Sequence, residues 1–155
     1  MKKLSLIIIV LFAFISCQED VRFNNPSLQG MKDNVFWRAV ESKASVASNG
    51  SLLIEAYTGT ETLTFKLAST AKKNYILGID NVNTVSYVLS DPSGLITFST
   101  GTGKGDGQIT ITEYDTANGT ISGTFKFNAE NTYNNPLAGA LVNFQQGVFY
   151  KVAVR

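Results

Sequence analysis

Apolar and polar residues alternate along most of this chain, and this period of two constrains the fold more than any other feature. In the run 121–129, small or apolar residues occupy every odd position and polar ones every even position. Leu63, Phe65 and Leu67 alternate with polar residues in the same way, and the segment 147–154 repeats the pattern. Such alternation indicates strands with one buried and one solvated face, as in an antiparallel sheet.

Turn residues separate these runs. Asn49-Gly50 and Asn118-Gly119 lie between alternating segments, where both residues tolerate the positive φ of a tight hairpin turn. No amphipathic pattern of three helical turns occurs. The sequence therefore predicts an all-β fold, an antiparallel meander of about ten strands that forms a β-sandwich or a flattened barrel. The predicted strands are 35–40, 43–48, 51–57, 61–67, 74–79, 84–90, 95–99, 107–114, 120–129 and 147–154.

The first residues are typical of a secretory signal peptide. Lys2 and Lys3 form a short basic region, and the segment 4–15 is almost entirely apolar. Twelve helical residues span about 18 Å, which is short of a hydrocarbon core of roughly 30 Å. The following Phe14-Ile15-Ser16-Cys17 resembles the bacterial lipobox. We therefore expect a lipoprotein signal peptide over residues 1–16.

By that resemblance, the Cys17 sulfur carries a diacylglycerol group and the chain is cut after Ser16. Two or more acyl chains anchor a protein stably, since each buried methylene contributes about 0.8 kcal/mol. Cys17 would thus be a lipidation site, and its lipid would link the protein to the membrane. The alternatives are an ordinary signal peptide followed by a free cysteine, or an uncleaved N-terminal anchor.

Residues 17–33 are predicted to be the lipidated cysteine and a tether, and residues 34–155 a single β domain. The acidic Gln18-Glu19-Asp20 resembles the signal that directs lipoproteins of the Bacteroidota to the outer face of the outer membrane. Its alternative is a pair of carboxylates that only solvates the tether. We accordingly expect an outer-membrane protein exposed at the cell surface.

The amino-acid composition excludes several kinds of functional site. The chain has no histidine, so it lacks a histidine base and histidine metal ligands. A single cysteine precludes an intrachain disulfide and a cluster of cysteine ligands. The formal net charge of +1 gives no basic excess of the kind that nucleic-acid binders show. The sequence therefore predicts no cofactor, no metal site and no nucleic-acid partner.

Aromatic side chains are the best candidates for contact with a ligand. Tyr57, Tyr114, Tyr133 and Phe144 fall outside the main apolar register or in predicted loops. An exposed ring can stack on a sugar or anchor a protein partner. Trp37 lies in register with apolar neighbours, so we expect its indole to be buried.

Three further motifs have structural explanations that we favour. The glycine-rich segment 101–107 lacks the spacing and following helix of a phosphate loop, which favours a mobile hairpin loop. The segment 80–83 lacks the Gly and Glu of a calcium loop, which favours a turn held by side-chain oxygens. Asp115-Thr116-Ala117 resembles an O-glycosylation acceptor of exported Bacteroidota proteins, and it also suits a turn.

Several segments spread along the mature chain are similar to those of a known family. They are Phe23-Asn24-Asn25-Pro26 and the segment 35–39 near the start, and the segments 107–112, 120–127 and 147–152 in the second half. In these segments the mature chain resembles small uncharacterised lipoproteins of the Bacteroidota, over nearly its whole length. These motifs are strand and turn patterns. The resemblance therefore implies a lipoprotein with an all-β fold and implies no activity.

These expectations combine into a lipid-anchored envelope protein that works as a non-catalytic binding or interaction module. Its ligand would be a glycan, a small apolar molecule or an envelope protein. The first alternative is a structural or assembly accessory of the outer membrane. The second is a hydrolase that uses a carboxylate pair, although no motif places two carboxylates together.

Overall fold

The computed structural model describes residues 27–155, which form eleven β-strands and no helix. The predicted all-β class is thereby confirmed. The predicted signal peptide, Cys17 and the segment 18–26 lie outside the described residues. The strands are β1 (Ser27–Lys32), β2 (Val35–Arg38), β3 (Glu41–Val46), β4 (Leu52–Tyr57), β5 (Glu61–Leu67), β6 (Asn74–Leu77), β7 (Thr84–Asp91), β8 (Gly94–Ser99), β9 (Asp106–Asp115), β10 (Thr120–Asn131) and β11 (Leu141–Ala153).

The strands form one antiparallel curled sheet, a half-barrel, with the order β2-β1-β11-β10-β8-β7-β5-β4-β3. One edge of strand β10 pairs with β11, and the other edge pairs with two different strands. Its first nine residues pair with β9, and Glu130 and Asn131 pair with β8. Strand β6 then extends the sheet beyond β9. The sheet therefore branches at β10, so that β9 and β6 turn away from β8 and β7.

One end of the sheet, strand β3, approaches the end of strand β11. Ala44 of β3 forms an isolated parallel bridge with Val154, just after β11. The backbone N–H of Arg155 donates a hydrogen bond to the Ala44 carbonyl oxygen at 2.9 Å. The end of the chain thus fastens β3 beside β11, so that the inner face of the curled sheet encloses one core.

Aromatic rings fill the centre of that core. They come from β5, β10 and β11, and neighbouring centroids are 4.9–6.3 Å apart. Rings at such distances add about 0.5–1.5 kcal/mol per pair to the free energy of burial. The alternation predicted from sequence places them inward, because every second residue of a strand faces the same side. The five rings belong to Phe65, Phe125, Phe127, Phe144 and Phe149.

The predicted tether was wrong over residues 27–32, which form strand β1. This strand lies between β2 and β11, and Leu28 is buried opposite Phe149. Asp33 and Asn34, with φ of 48° and 65°, make the two-residue turn to β2. The six residues contain only two apolar side chains, Leu28 and Met31, so the sequence pattern gives little indication of a strand. Pairing with β11 determines their structure.

The gap left between the predicted strands 120–129 and 147–154 is also shorter in the structure. Strand β10 continues to Asn131 and β11 already begins at Leu141, so the connection covers residues 132–140. Gln145-Gln146-Gly147 interrupts the apolar alternation and resembles the end of a loop. In the structure this segment is an irregularity within β11, where the register with β10 shifts between Phe125 and Phe127.

Candidate functional site

An open groove lies on the outer face of the sheet, across β9, β10 and β11. It has a volume of about 460 Å³. Five of its eight lining residues carry polar side chains. Its lining consists of Gln108, Thr124, Phe125, Lys126, Gln145, Gln146, Gly147 and Val148. Most ligand pockets have volumes of roughly 300–1,000 Å³, so the groove is large enough to hold a small molecule.

Strand register explains why these polar side chains meet. Gln108 of β9 is paired with Lys126 of β10, and Thr124 of β10 is paired with Val148 of β11. The intervening Phe125 is buried, so its neighbours in the strand face outward. Cross-strand partners on one face of an antiparallel pair lie about 4.5–5.5 Å apart at Cβ. The groove is thus formed by the outward residues of three adjacent strands.

A β-bulge shapes the β11 side of the groove. Gln146 has a φ of 52°, in the left-handed region that residues other than Gly, Asn and Asp seldom adopt. The bulge turns two consecutive side chains, Gln145 and Gln146, toward solvent. Bulges occur preferentially at sheet edges and beside functional sites, where they redirect a side chain. Here the bulge adds two amide groups to one rim of the groove.

The polar groups of the groove have unused hydrogen-bonding capacity. Elsewhere on the same face polar neighbours bond across strands: Thr110 donates to Asn74 at 2.7 Å, and Asn128 donates to Asp106 at 3.0 Å. Within residues 27–155 no side-chain hydrogen bond is formed by Gln108, Thr124, Lys126, Gln145 or Gln146. These five groups remain available to water or to a ligand.

An aromatic ring continues the groove along β11. Tyr150 is exposed two residues beyond Val148, and both alternate with the buried Phe149. The ammonium nitrogen of Lys151 is 5.4 Å from the centroid of the Tyr150 ring. Because successive side chains of a strand face opposite sides, Tyr150 and Val148 share the outer face.

A second polar cluster lies inside the curled sheet, around the carboxylate of Glu61 on β5. Lys32, Trp37 and Tyr87 each donate a hydrogen bond to this carboxylate. Lys32 Nζ also lies 2.8 Å from the Tyr87 hydroxyl oxygen. The Glu61 side chain is only 13% exposed. The cluster ties β1 and β2 to β5 and β7 across the interior.

Burial and hydrogen bonding act in opposite directions on Glu61. Burial raises the pKa of its carboxyl group, but the hydrogen bonds from Lys32, Tyr87 and Trp37 together lower the pKa below its ordinary value. Burial, together with the neighbouring Glu61 carboxylate, raises the pKa of the Tyr87 hydroxyl far above its ordinary value. The carboxylate is therefore charged and surrounded by donors, which is the arrangement of a structural ion pair.

The four aromatic residues predicted to contact a ligand lie in different environments. Phe144 was wrongly predicted, because it is fully buried and stacks on Phe127 with centroids 4.9 Å apart. Tyr114 packs against the core, and Tyr57 lies half-buried beside Lys43. Tyr133 is 78% exposed on the loop between β10 and β11. None of the four lines the groove, and Trp37 is buried as expected.

The glycine-rich segment 101–107 differs from the expected mobile hairpin. Gly101 and Lys104 form a bridge, and the N–H of Gly103 donates to the Gly78 carbonyl at 2.9 Å. The N–H of Gly105 donates to Glu130 Oε1 at 2.9 Å. The segment is a tight turn fastened to two neighbouring elements.

The other two motifs form turns. Asp80 Oδ1 accepts hydrogen bonds from the N–H groups of Val82 and Asn83 at 2.8 and 3.1 Å, as the sequence predicted. Asp115 Oδ1 likewise accepts from the N–H groups of Ala117 and Asn118, each at 3.0 Å. Such side-chain-to-backbone bonds are typical of Asx turns.

Sequence reasoning missed both the groove and the Glu61 cluster. The signal for the groove is Gln145-Gln146-Gly147, which interrupts an alternating pattern and marks a bulge. No local signal distinguishes Glu61, because its partners come from strands far away in the sequence. Within residues 27–155 there is no group of three metal-ligating side chains, and no helix there is long and apolar enough to cross a membrane.

Comparison with known proteins places the chain in a family. A family model described as a domain of unknown function, DUF6252, matches residues 24–153. No curated protein and no solved structure matches the chain. The family match spans most of the sequence and includes every described strand. The chain therefore belongs to the DUF6252 family of domains of unknown function.

Proposed function

We propose that this protein is a lipid-anchored protein of the outer membrane whose β domain is a non-catalytic binding module. Cys17 would carry the acyl chains, and the outer groove would contact the ligand. Confinement to a surface raises the effective concentration of the domain near other surface-bound molecules. The basic and apolar residues before Ser16-Cys17 support the anchor.

The observation that carries the binding role is the set of unpaired polar side chains around the groove. The five groups lie on strands that are fixed by pairing on both sides. Sites on rigid elements hold their side chains in place better than sites on loops. The core is filled by phenylalanine rings, which favours the outer face over the interior as the contact surface.

Two observations favour binding over catalysis. The chain has no histidine, which is the commonest general base. The partly buried carboxylate of Glu61 already accepts hydrogen bonds from the side chains around it, and the pKa of its carboxyl group is lowered. A carboxylic general acid needs a raised pKa. The cluster therefore suits a structural role.

An assembly accessory is the second candidate, and exposed apolar residues near the sheet edge favour it. Strand β2 ends the sheet, and Phe36 on it is 62% exposed. Val35 and Val40 nearby are also exposed. Exposed apolar side chains on an unpaired edge strand can pair with another chain.

Labelling with a radioactive fatty acid tests the anchor. We expect the full chain to incorporate label in a bacterial host, and Cys17→Ala to lose the label and accumulate uncut precursor. Ser16→Ala is the matched control, since it keeps a small residue before the cleavage site. Continued labelling of Cys17→Ala would refute the lipidation site.

Site-specific photocrosslinking in intact cells tests which surface makes contact. A photoreactive amino acid at Thr124 reports on the groove, and the same group at Phe36 reports on the β2 edge. We expect adducts from position 124. Adducts from position 36 alone would favour the accessory, and no adduct from either position would contradict a binding role.

A further inference from the structure

We infer that the outer groove binds a neutral oligosaccharide. This inference rests on the proposed binding role and specifies the chemical class of the ligand. Three features of the groove carry it: side chains that both donate and accept hydrogen bonds, a sheet with no free edge beneath them, and apolar groups on the same face.

The hydrogen-bonding groups match sugar hydroxyls. Each of the three glutamine amides offers two N–H donors and one carbonyl acceptor, and the hydroxyl of Thr124 both donates and accepts. A sugar hydroxyl has the same dual character. Lys126 adds three donors and is the only charged residue in the lining. A lining with one charge in eight residues suits an uncharged ligand that has many hydroxyl groups.

The strand pairing argues against an extended peptide. A peptide that adds to a sheet uses the unpaired backbone groups of an edge strand. Under the groove, β10 pairs with β9 and β11, while β9 also pairs with β6 and β11 with β1. Outside the bulge at Gln146, the backbone groups of these strands are therefore used within the sheet. Recognition there depends on side chains, as it does for a sugar.

The apolar groups on the same face suit the C–H surfaces of a sugar ring. Val148 lies in the groove, and Tyr150 offers an exposed ring further along β11. An aromatic ring with a polar end is well suited to such contacts. A purely apolar ligand would leave the amides without partners and lose hydrogen bonds to water. The mixture of groups therefore favours the oligosaccharide.

Binding measurements with the full chain, purified with its anchor in detergent, test the inference. The probes are fluorescent cellohexaose, xylohexaose, mannohexaose and maltohexaose, with a pool of random decapeptides as the competing class. We expect saturable binding of at least one hexasaccharide. Lys126→Ala and Thr124→Ala should each weaken that binding, and Lys126→Ala by about tenfold, which corresponds to about 1.4 kcal/mol.

Lys66→Ala is the matched control, since Lys66 is another exposed lysine on a strand and lies outside the groove. The affinity of Lys66→Ala for the hexasaccharide should equal that of the unchanged chain. Thermal unfolding of each variant verifies that the domain is intact. Because Lys126 and Thr124 are exposed, two independent variants probe the groove without altering the core.

Three results would overturn the inference. They are binding of no hexasaccharide, binding that neither groove variant weakens, and peptide binding that both variants abolish. Peptide binding of this kind would leave the proposed binding role intact. The same holds if position 124 forms crosslinked adducts in cells while no hexasaccharide binds. Failure of the fatty-acid labelling and crosslinking experiments would instead remove the proposed function itself.

Discussion

The ring of Phe125 occupies the space that a side chain at Gly147 would fill, with two ring carbons 2.4 Å from the position of the missing Cβ. These residues face one another across β10 and β11. The same relationship recurs nearby, where the Phe149 ring lies 2.4 Å from the position of a Cβ at Gly123. Two glycines thus admit two large rings into the core between β10 and β11.

Gly147→Ala should destabilise the domain. The added methyl group would meet the ring of Phe125, and overpacking of a core costs about 1–3 kcal/mol. Urea unfolding followed by tryptophan fluorescence measures the change in the free energy of unfolding. Gly59→Ala is the control, because nothing lies within 4 Å of its added Cβ. Equal stability of the two variants would contradict the packing relationship.

Phe144→Ala and Tyr133→Ala should differ strongly in stability, although the sequence placed both residues among ligand contacts. Phe144 is fully buried against Phe127, and truncation of a buried phenylalanine costs about 3–5 kcal/mol. Tyr133 is exposed on a loop, so its truncation should change stability by less than about 0.5 kcal/mol. Thermal unfolding of both variants measures the difference. A stable Phe144→Ala variant would refute the core assignment.

The Glu61 cluster predicts a decline of stability in acid. The folded protein holds the pKa of Glu61 below its ordinary value of 4.5, so the unfolded chain takes up this proton first as pH falls. The stabilisation is therefore fully present above about pH 4.5 and is lost as pH falls through the lower folded pKa. The free energy of unfolding, measured by urea titration between pH 3 and 7, should show this decline.

Two variants isolate the contribution of Glu61. Glu61→Gln should lower stability at neutral pH, because it removes the charge that Lys32 faces. In the same variant, the free energy of unfolding should also fall less steeply as the pH is lowered. Glu113→Gln, which replaces an exposed carboxylate by the same amide, is the matched control. An unaltered acid decline in Glu61→Gln would show that other groups cause it.

Gln146→Gly should increase the stability of the domain. Gln146 has a φ of 52°, and a non-glycine residue in the left-handed region costs about 1 kcal/mol or somewhat more. Lys151→Gly is a matched comparison, since Lys151 has a φ of 50° in the same strand and lies outside the groove. Differential scanning calorimetry measures both variants. If Gln146→Gly is destabilising, the left-handed backbone is not under strain.

Much of the fold is predictable from the sequence because the alternation is local. The run 121–129 predicts β10 and its buried face directly, and Asn118-Gly119 predicts the turn before it. Strand β1 could not be predicted in the same way. Its residues carry only a weak pattern, and their structure depends on pairing with β11, more than a hundred positions later in the sequence.

The candidate site is likewise only partly predictable from the sequence. Gln145-Gln146-Gly147 is visible in the sequence as a break in the alternation, but the interpretation of that break depends on β10 beside it. The predicted contact at Phe144 failed for a related reason. A bulge shifts the register of β11, so a residue that falls outside the apolar alternation nevertheless faces the core.

The sequence by itself determined the strand pattern, the hairpin turns and the candidate anchor at Cys17, because each depends on neighbouring residues only. The tertiary structure alone decided which strands meet. The pairing of β10 with three neighbours, the convergence of three distant side chains on Glu61 and the groove across β9, β10 and β11 all follow from it. Contacts between distant strands depend on register and curvature, and a period of two does not specify these properties.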